Sequence, residues 1–128
     1  MPGPAITPGR LIYLVDDEQP LLDLAEISLQ ADGYALKKFH SAEEALASFT
    51  EETPKPSLVL TDYAMAAMNG LELSTRCKSA CPAIKILMVS GTAGPEILQQ
   101  SPGAVDRFIP KPYRPAELAS TVRALLES

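Results

Sequence analysis

The sequence predicts a single α/β domain built around a parallel sheet. Continuous apolar runs alternate regularly with helical stretches and turn signals along the 128 residues. A run such as 10–15 (RLIYLV) is apolar at nearly every position, as is typical of strands covered on both faces. Five such strands, each followed by a helix, indicate a parallel sheet with right-handed crossovers. The length fits one domain.

The first half of the chain contains three predicted strands and two predicted helices. The strands are expected at 10–15, 34–39 and 57–61. The first helix opens at Pro20 and closes at Asp32-Gly33, since a glycine just after the last turn is a helix C-terminal signal. The second helix begins after Ser41, where Glu44 completes a capping box.

The second half repeats the alternation with two further strands, expected at 83–90 and 104–109. A helix is expected from Gly70 to about Ala80, and the last helix starts at Pro115. The segment 94–103 is bracketed by proline and glycine, so it has room for only a short helix. We expect residues 1–9, rich in proline and glycine, to form a flexible tail before a domain at 10–128.

Composition excludes several classes of function. A net charge of -5 argues against direct binding to nucleic acid, which requires clustered lysine and arginine. No apolar run approaches the roughly 20 residues of a membrane span, and the N-terminus lacks the features of a signal peptide. Cys77 and Cys81 have helical spacing, but with a single histidine far away they indicate reduced structural cysteines in a cytoplasmic protein.

Polar side chains follow four of the predicted strands. The first strand ends in Asp16-Asp17, the third in Asp62, the fourth in Ser90 and the fifth in Lys111. Because the carboxyl ends of parallel strands meet at one edge of the sheet, these residues are expected to converge there. Taken singly, each has a plainer interpretation as a loop acid, a strand cap or an exposed turn residue. Their coincidence at one edge favours a functional site.

The chemistry of this group points to phosphoryl transfer. Clustered carboxylates repel one another unless a cation or a proton neutralises them, and hard oxygen ligands suit Mg²⁺, Mn²⁺ or Ca²⁺. A lysine and a hydroxyl on the other side could receive phosphoryl oxygens. An aspartate beside the metal can itself be the nucleophile and form an acyl phosphate. A nucleotide or flavin site is disfavoured, since VDDEQP offers acids rather than glycines after the first strand.

At these residues the chain resembles the receiver domain of bacterial two-component response regulators, over roughly residues 10 to 127. Four motifs carry the resemblance, in the order and near the spacing of the family: LVDDE, LVLTDYAMAAMNG, ILMVSG and GAVDRFIPKPY. The resemblance implies a flavodoxin-like (βα)₅ fold with strand order 2-1-3-4-5. It also implies a phosphoryl donor that is a sensor histidine kinase or a histidine phosphotransfer protein, and an output partner that the sequence does not identify.

The resemblance assigns a role to each site residue. Asp62 would accept the phosphoryl group, and Lys111 and Ser90 would bind it. Phe108 would be the aromatic whose rotamer reports activation, although a plain core aromatic looks the same in sequence. Mg²⁺, or Mn²⁺ in its place, would be held by the following groups: the carboxylates of Asp17 and Asp62, the backbone carbonyl of Ala64, and Asp16 acting mainly through water. Lys111-Pro112 would be a cis peptide.

The chain departs from the family pattern at four places. Ala66 replaces the usual proline, which should loosen the loop after Asp62, and Gly91 replaces the usual alanine, which should keep the phosphate accessible. Pro110 is tolerated because the fifth strand is expected at the sheet edge. The short helix expected within 94–103, the fourth along the chain, is nearly uncharged. In many regulators the corresponding helix takes part in dimerisation or output, and this sequence does not support that role here.

Two other functions stay open at this point. A Mg²⁺-dependent phosphatase with an aspartyl nucleophile usually has a second aspartate two residues later, and Ala64 there counts against it. An interaction module without phosphorylation is disfavoured because the acids, Ser90 and Lys111 are all retained.

His40 is interpreted as a surface residue rather than a phosphodonor. We expect no effector domain after Ser128. The chain is therefore expected to be a stand-alone receiver or a part of a larger protein such as a hybrid histidine kinase. Its expected role is that of a signalling acceptor rather than an enzyme.

Overall fold

The computed structural model describes residues 10–128 as five strands that alternate with helices. The predicted tail at 1–9 lies outside the described residues. In chain order the elements are β1 Leu11–Val15, α1 Gln19–Gln30, β2 Ala35–Phe39, α2 Ala42–Glu51, β3 Leu58–Asp62, α3 Gly70–Ala80, β4 Lys85–Ser90, a 3₁₀ helix Pro95–Gln100, β5 Arg107–Pro110 and α4 Pro115–Glu127. None of the helices in this part of the chain is long and apolar enough to cross a membrane.

The five strands form one parallel sheet with the order β2-β1-β3-β4-β5, which confirms the expected flavodoxin-like topology. β1 and β3 lie next to each other at the centre, and the strand order reverses between them. A ligand site is expected outside the carboxyl ends of strands at such a reversal. β5 is an edge strand, and Pro110, which has no backbone N–H, is its last residue.

Each face of the sheet has its own apolar core, because successive strand residues point to opposite faces. On one face, Ile12 and Leu14 pack with residues of α1 and α4 such as Leu22 and Leu118. On the other face, Tyr13 and Val15 pack with the α2 and α3 side chains Phe49 and Leu73. β3 is buried along its whole length, which its apolar run at 58–60 predicts for the first three residues and which also encloses Thr61 and Asp62.

Local signals explain where most helices begin. Ser41 caps α2 by accepting a hydrogen bond from the Glu44 N–H at 3.1 Å, which confirms one half of the predicted capping box. Proline occupies the first turn of α1 and α4, where its missing N–H has no cost. Asn69 caps α3 by accepting from the Glu72 N–H at 2.9 Å, a cap that the sequence interpretation missed.

The boundary of the fifth strand was predicted three residues too early. β5 begins at Arg107 because the segment before it makes different hydrogen bonds. The Asp106 carboxylate accepts from the Ile86 N–H at 2.7 Å and pairs with Lys78 at 2.9 Å, which ties α3 to the start of the β4–β5 pair. The short helix expected between β4 and β5 is confirmed as a 3₁₀ helix of six residues.

Candidate functional site

The predicted site residues lie at the carboxyl edge of the sheet, where their strands end. Asp16 and Asp17 directly follow β1, and Asp62 and Ser90 are the last residues of β3 and β4. Lys111 follows β5, and its N–H donates to the Ser90 carbonyl at 2.8 Å, which fixes the chain at this point. The expected convergence is therefore present in the structure.

Three carboxylates form the acidic part of the site. One oxygen each from Asp16, Asp17 and Asp62 lies within 4.8 Å of the other two. Asp16 and Asp62 are buried, whereas Asp17 is exposed at the rim. Asp16 is held in place by the N–H of Glu18, which donates to its Oδ1 at 3.0 Å. An oxygen-only donor set of this kind suits a hard divalent cation such as Mg²⁺.

Lys111 bridges the two buried acids. Its Nζ lies 3.2 Å from Asp16 Oδ2 and 3.1 Å from Asp62 Oδ1. All three side chains are at most 16% exposed, so these ion pairs are screened less than surface pairs. The ammonium thus supplies one positive charge against three carboxylates, and the cluster keeps an excess of negative charge.

The electrostatics of this cluster shift two pKa values. Burial raises the pKa of Asp62, and the Asp16 charge adds to this, while the hydrogen bond from Lys111 opposes it. Burial alone would lower the pKa of Lys111, but the hydrogen bond to Asp62 and the charge of Asp16 outweigh it, so the net shift is upward. Lys111 therefore stays cationic at neutral pH. Because three carboxylates still outnumber this one ammonium, a second cation beside Asp62 would be favoured.

An open pocket of about 370 Å³ lies over the cluster. Its walls combine the charged groups with small side chains, namely Asp17, Asp62, Lys111, Ala64, Gly91 and Thr92. A methyl group at Gly91 would lie 3.5 Å from Lys111 Cβ, which is an ordinary contact. The pocket leaves room for a group of phosphate size beside Asp62 and Lys111.

Ser90 and Phe108 lie next to the site without facing the pocket. Ser90 is buried, and its Oγ accepts from the N–H groups of Ala93 at 3.0 Å and Thr92 at 3.3 Å. Phe108 is half-buried and packs against the apolar cluster beneath the 3₁₀ helix. Their expected roles in binding and reporting a phosphoryl group stay predictions, since the hydroxyl here caps the turn after β4.

The loop 63–69 connects Asp62 to α3. Ala67 has a φ of 64°, a left-handed conformation that costs a non-glycine residue roughly 1–2 kcal/mol. The Met68 N–H donates to Glu43 Oε2 at 3.2 Å, and the Gly70 N–H donates to the Tyr63 carbonyl at 2.8 Å. Ala66 thus lies in a loop fastened at its far end, and its expected loosening stays a prediction.

Two sets of residues with possible ligand chemistry lie away from the site. Cys77 is buried and Cys81 half-buried, both as free thiols, and burial raises the pKa of Cys77 to about 12. His40 is exposed, and its Nε2 contacts Gln19 Oε1 at 2.5 Å.

The Lys111-Pro112 peptide is cis, as the resemblance implied.

Comparison with known proteins agrees with this geometry. The family model of the response regulator receiver domain matches residues 12–123. The phosphate regulon transcriptional regulatory protein PhoB of Pseudomonas aeruginosa is 30% identical over 121 residues, which cover 92% of this chain and 52% of that protein. Sensor kinase CckA of Brucella abortus is 32% identical over 117 residues, which cover 91% of this chain and 12% of that protein.

A solved structure shows the same fold. The CheY-like response regulator receiver domain protein from Methanospirillum hungatei JF-1 superposes with a TM-score of 0.84 at 29% identity, covering 92% of this chain and 94% of that one. The chain spans about half the length of PhoB, the curated relative above. Together, the family match and the fold show that this chain belongs to the response regulator receiver domains of two-component signalling systems.

Proposed function

We propose that Asp62 is the phosphoacceptor of this receiver domain and takes its phosphoryl group from a phosphohistidine on a sensor histidine kinase or a histidine phosphotransfer protein. The observation that carries this proposal is the position of Asp62, whose carboxylate lies 3.1 Å from Lys111 Nζ at the floor of an open pocket. A buried carboxylate beside one ammonium is poised to exchange that partner for a phosphoryl group.

The reaction needs little covalent chemistry from the protein. An Asp62 carboxylate oxygen attacks phosphorus, a new P–O bond forms, and the P–N bond to the imidazole of the donor breaks. The imidazole leaves with the bonding electrons and takes a proton from water. Lys111 then exchanges its contact with the Asp62 carboxylate for the phosphoryl oxygens, because in-line positioning and charge neutralisation dominate phosphoryl transfer.

The acidic cluster fits a divalent cation, for which we propose Mg²⁺ with Mn²⁺ as a substitute. Asp17, Asp62 and the Ala64 carbonyl would hold it, and Asp16 would act mainly through water. When bound, the cation neutralises the charge on the phosphoryl oxygens. The exposed position of Asp17 at the pocket rim leaves this ligand accessible from solvent.

The proposed role of the domain is that of a switch rather than an enzyme with turnover. Ala64, two residues after Asp62, provides no second acid to drive repeated hydrolysis. Phosphorylation would draw the Ser90 hydroxyl away from its cap toward the phosphoryl group, and Phe108 on the adjacent strand would repack. The altered surface would then bind an output partner, in the cytoplasm where histidine kinases obtain ATP.

The domain at 10–128 would act alone or within a larger protein; PhoB and CckA, of which this chain covers 52% and 12%, are both longer proteins. The proposal is tested by intact mass after incubation with acetyl phosphate and Mg²⁺. We expect one phosphoryl group on the wild type and none on Asp62→Asn. Asp32→Asn, which loses only a salt bridge with Arg123 beyond the far end of α1, is the matched control and should be labelled normally. Labelling of Asp62→Asn would refute the proposal.

A further inference from the structure

We propose that Thr61 and Gly70 are positioning residues that fix the backbone carbonyl of Asp62 and thereby the place of its carboxylate. The inference rests on the proposed function, because the exact place of the carboxylate matters only if it reacts or binds a cation. Neither residue lines the pocket, and both act from beneath it.

Gly70, the first residue of α3, packs directly on the carbonyl of Asp62. A Cβ atom at this position would overlap the Asp62 carbonyl oxygen and lie 3.0 Å from the carbonyl carbon and 3.1 Å from Thr61 Oγ1. The backbone of Gly70 is helical, so its own conformation does not require glycine. The absence of a side chain is required by the approach of α3 to the acceptor residue.

Thr61 holds the same carbonyl from within the strand. Its Oγ1 donates to the Asp62 carbonyl at 2.9 Å, and the side chain is fully buried. β3 is otherwise apolar up to Asp62, and valine has the same shape as threonine, so packing alone does not call for a hydroxyl here. A buried hydroxyl is retained at low cost only where it has a partner, and this partner belongs to Asp62.

These contacts continue into α3 and join it to the acceptor. The Ser74 hydroxyl, also fully buried, donates to the Gly70 carbonyl at 2.7 Å, and the Gly70 N–H donates to Tyr63. The bond from Gly70 to Tyr63 holds the start of α3 against the end of β3, and the Ser74 bond fastens the first turn of the helix itself. A displacement of the helix start would move Asp62 relative to Lys111.

A side chain at position 70 must displace the Asp62 carbonyl or the start of α3. In positioned reactions, a shift of about 1 Å can cost on the order of 100-fold in rate. We therefore expect Gly70→Ala to slow phosphorylation by about tenfold to a hundredfold. Thr61→Val removes one hydrogen bond without a clash, and we expect a loss of about threefold, the size of one net hydrogen bond.

The test separates positioning from general destabilisation. Gly103→Ala is the matched control, since Gly103 has a φ of +85° with no atom within 4 Å of an added Cβ, so alanine there is strained but does not touch Asp62. The rate of phosphate incorporation from acetyl phosphate is measured at saturating Mg²⁺ and at a temperature where every variant is folded. Thr61→Ser, which keeps the hydroxyl, should restore the rate lost in Thr61→Val.

A second measurement does not depend on phosphorylation. The ¹³C resonance of the Asp62 carbonyl should move in Gly70→Ala, because an added Cβ at position 70 contacts that carbonyl although the two residues are not neighbours in sequence. The same resonance should stay in place in Gly103→Ala. Wild-type rates in both Gly70→Ala and Thr61→Val would overturn the inference and leave the proposed function intact. A shifted Asp62 resonance in a protein that accepts no phosphate would support the inference and refute the proposed function. If Gly70→Ala does not fold, the comparison of Thr61→Val with Thr61→Ser decides.

Discussion

Replacing Lys111 by methionine tests the electrostatic account of the site. Methionine keeps most of the length of the lysine stem but removes the ammonium that lies 3.2 Å from Asp16 and 3.1 Å from Asp62. Without it, the carboxylates of Asp16, Asp17 and Asp62 face one another within 4.8 Å and have no cation. Lys111→Met should therefore destabilise the fold at neutral pH when no divalent metal is present.

The expected loss follows from these distances. At an effective dielectric constant of about 20, each ion pair at this separation contributes roughly 5 kcal/mol before desolvation is counted. Removing one partner of a buried ion pair lowers the free energy of unfolding by about 3–5 kcal/mol. Because the pocket exposes this site to water on one side, we expect a loss at the lower end, about 3 kcal/mol. For a domain of this size that corresponds to a fall of about 10 °C in Tm.

Urea unfolding at pH 7.5, with and without Mg²⁺, measures this loss. We expect Mg²⁺ to stabilise Lys111→Met more than the wild type, because in the variant it no longer competes with the ammonium for Asp62. The difference between the two proteins should shrink at acidic pH, because burial raises the pKa of Asp62 and its protonated carboxyl group no longer needs the ammonium. An unchanged unfolding free energy in Lys111→Met, or equal stabilisation of both proteins by Mg²⁺, would refute this reasoning.

Three further predictions concern single positions. Because burial raises the pKa of Asp62, its carboxyl group favours the folded state below its ordinary pKa and loses this contribution as the pH rises through the folded value. Asp62→Asn should thus unfold at a higher Tm than the wild type at pH 7, with the gap closing toward pH 3; a lower Tm at pH 7 would contradict it. With a pKa of about 12, the buried Cys77 should resist iodoacetamide at pH 8, so mass spectrometry should show one modified thiol, Cys81, per folded chain. Modification of both thiols without denaturant would be inconsistent with this burial. Gly91→Ala should raise the unfolding free energy by about 0.4–1 kcal/mol, since the methyl fits against Lys111 and alanine restricts the unfolded chain; a loss above about 1 kcal/mol would argue against the fit.

The sheet and the acidic cluster were predictable from sequence because both depend on order along the chain. Strands buried on both faces leave apolar runs, and the residue after each run is carried to the same edge of a parallel sheet. Asp16, Asp62 and Lys111 meet there as expected, although they come from three separate strands. The cap at Ser41 was predictable for a similar reason, since its partner is three residues away.

Other features depend on how elements approach one another, which no local pattern records. The overlap of a side chain at Gly70 with the Asp62 carbonyl follows from the docking of α3, and a glycine near a helix start does not by itself indicate such a contact. The direction of the Ser90 hydroxyl, toward Ala93 rather than the pocket, depends on the turn after β4. The late start of β5 reflects the Asp106 carboxylate, which takes the Ile86 N–H.

The proposed function requires that Asp62 accepts a phosphoryl group at a cation-dependent site. The most direct measurement is peptide mass spectrometry of the chain after incubation with acetyl phosphate, with Mg²⁺ present or with Mg²⁺ removed by EDTA. We predict one phosphoryl group, located on Asp62 and formed only when Mg²⁺ is present. Phosphate on another residue, or none on the folded wild type with Mg²⁺, would contradict the account.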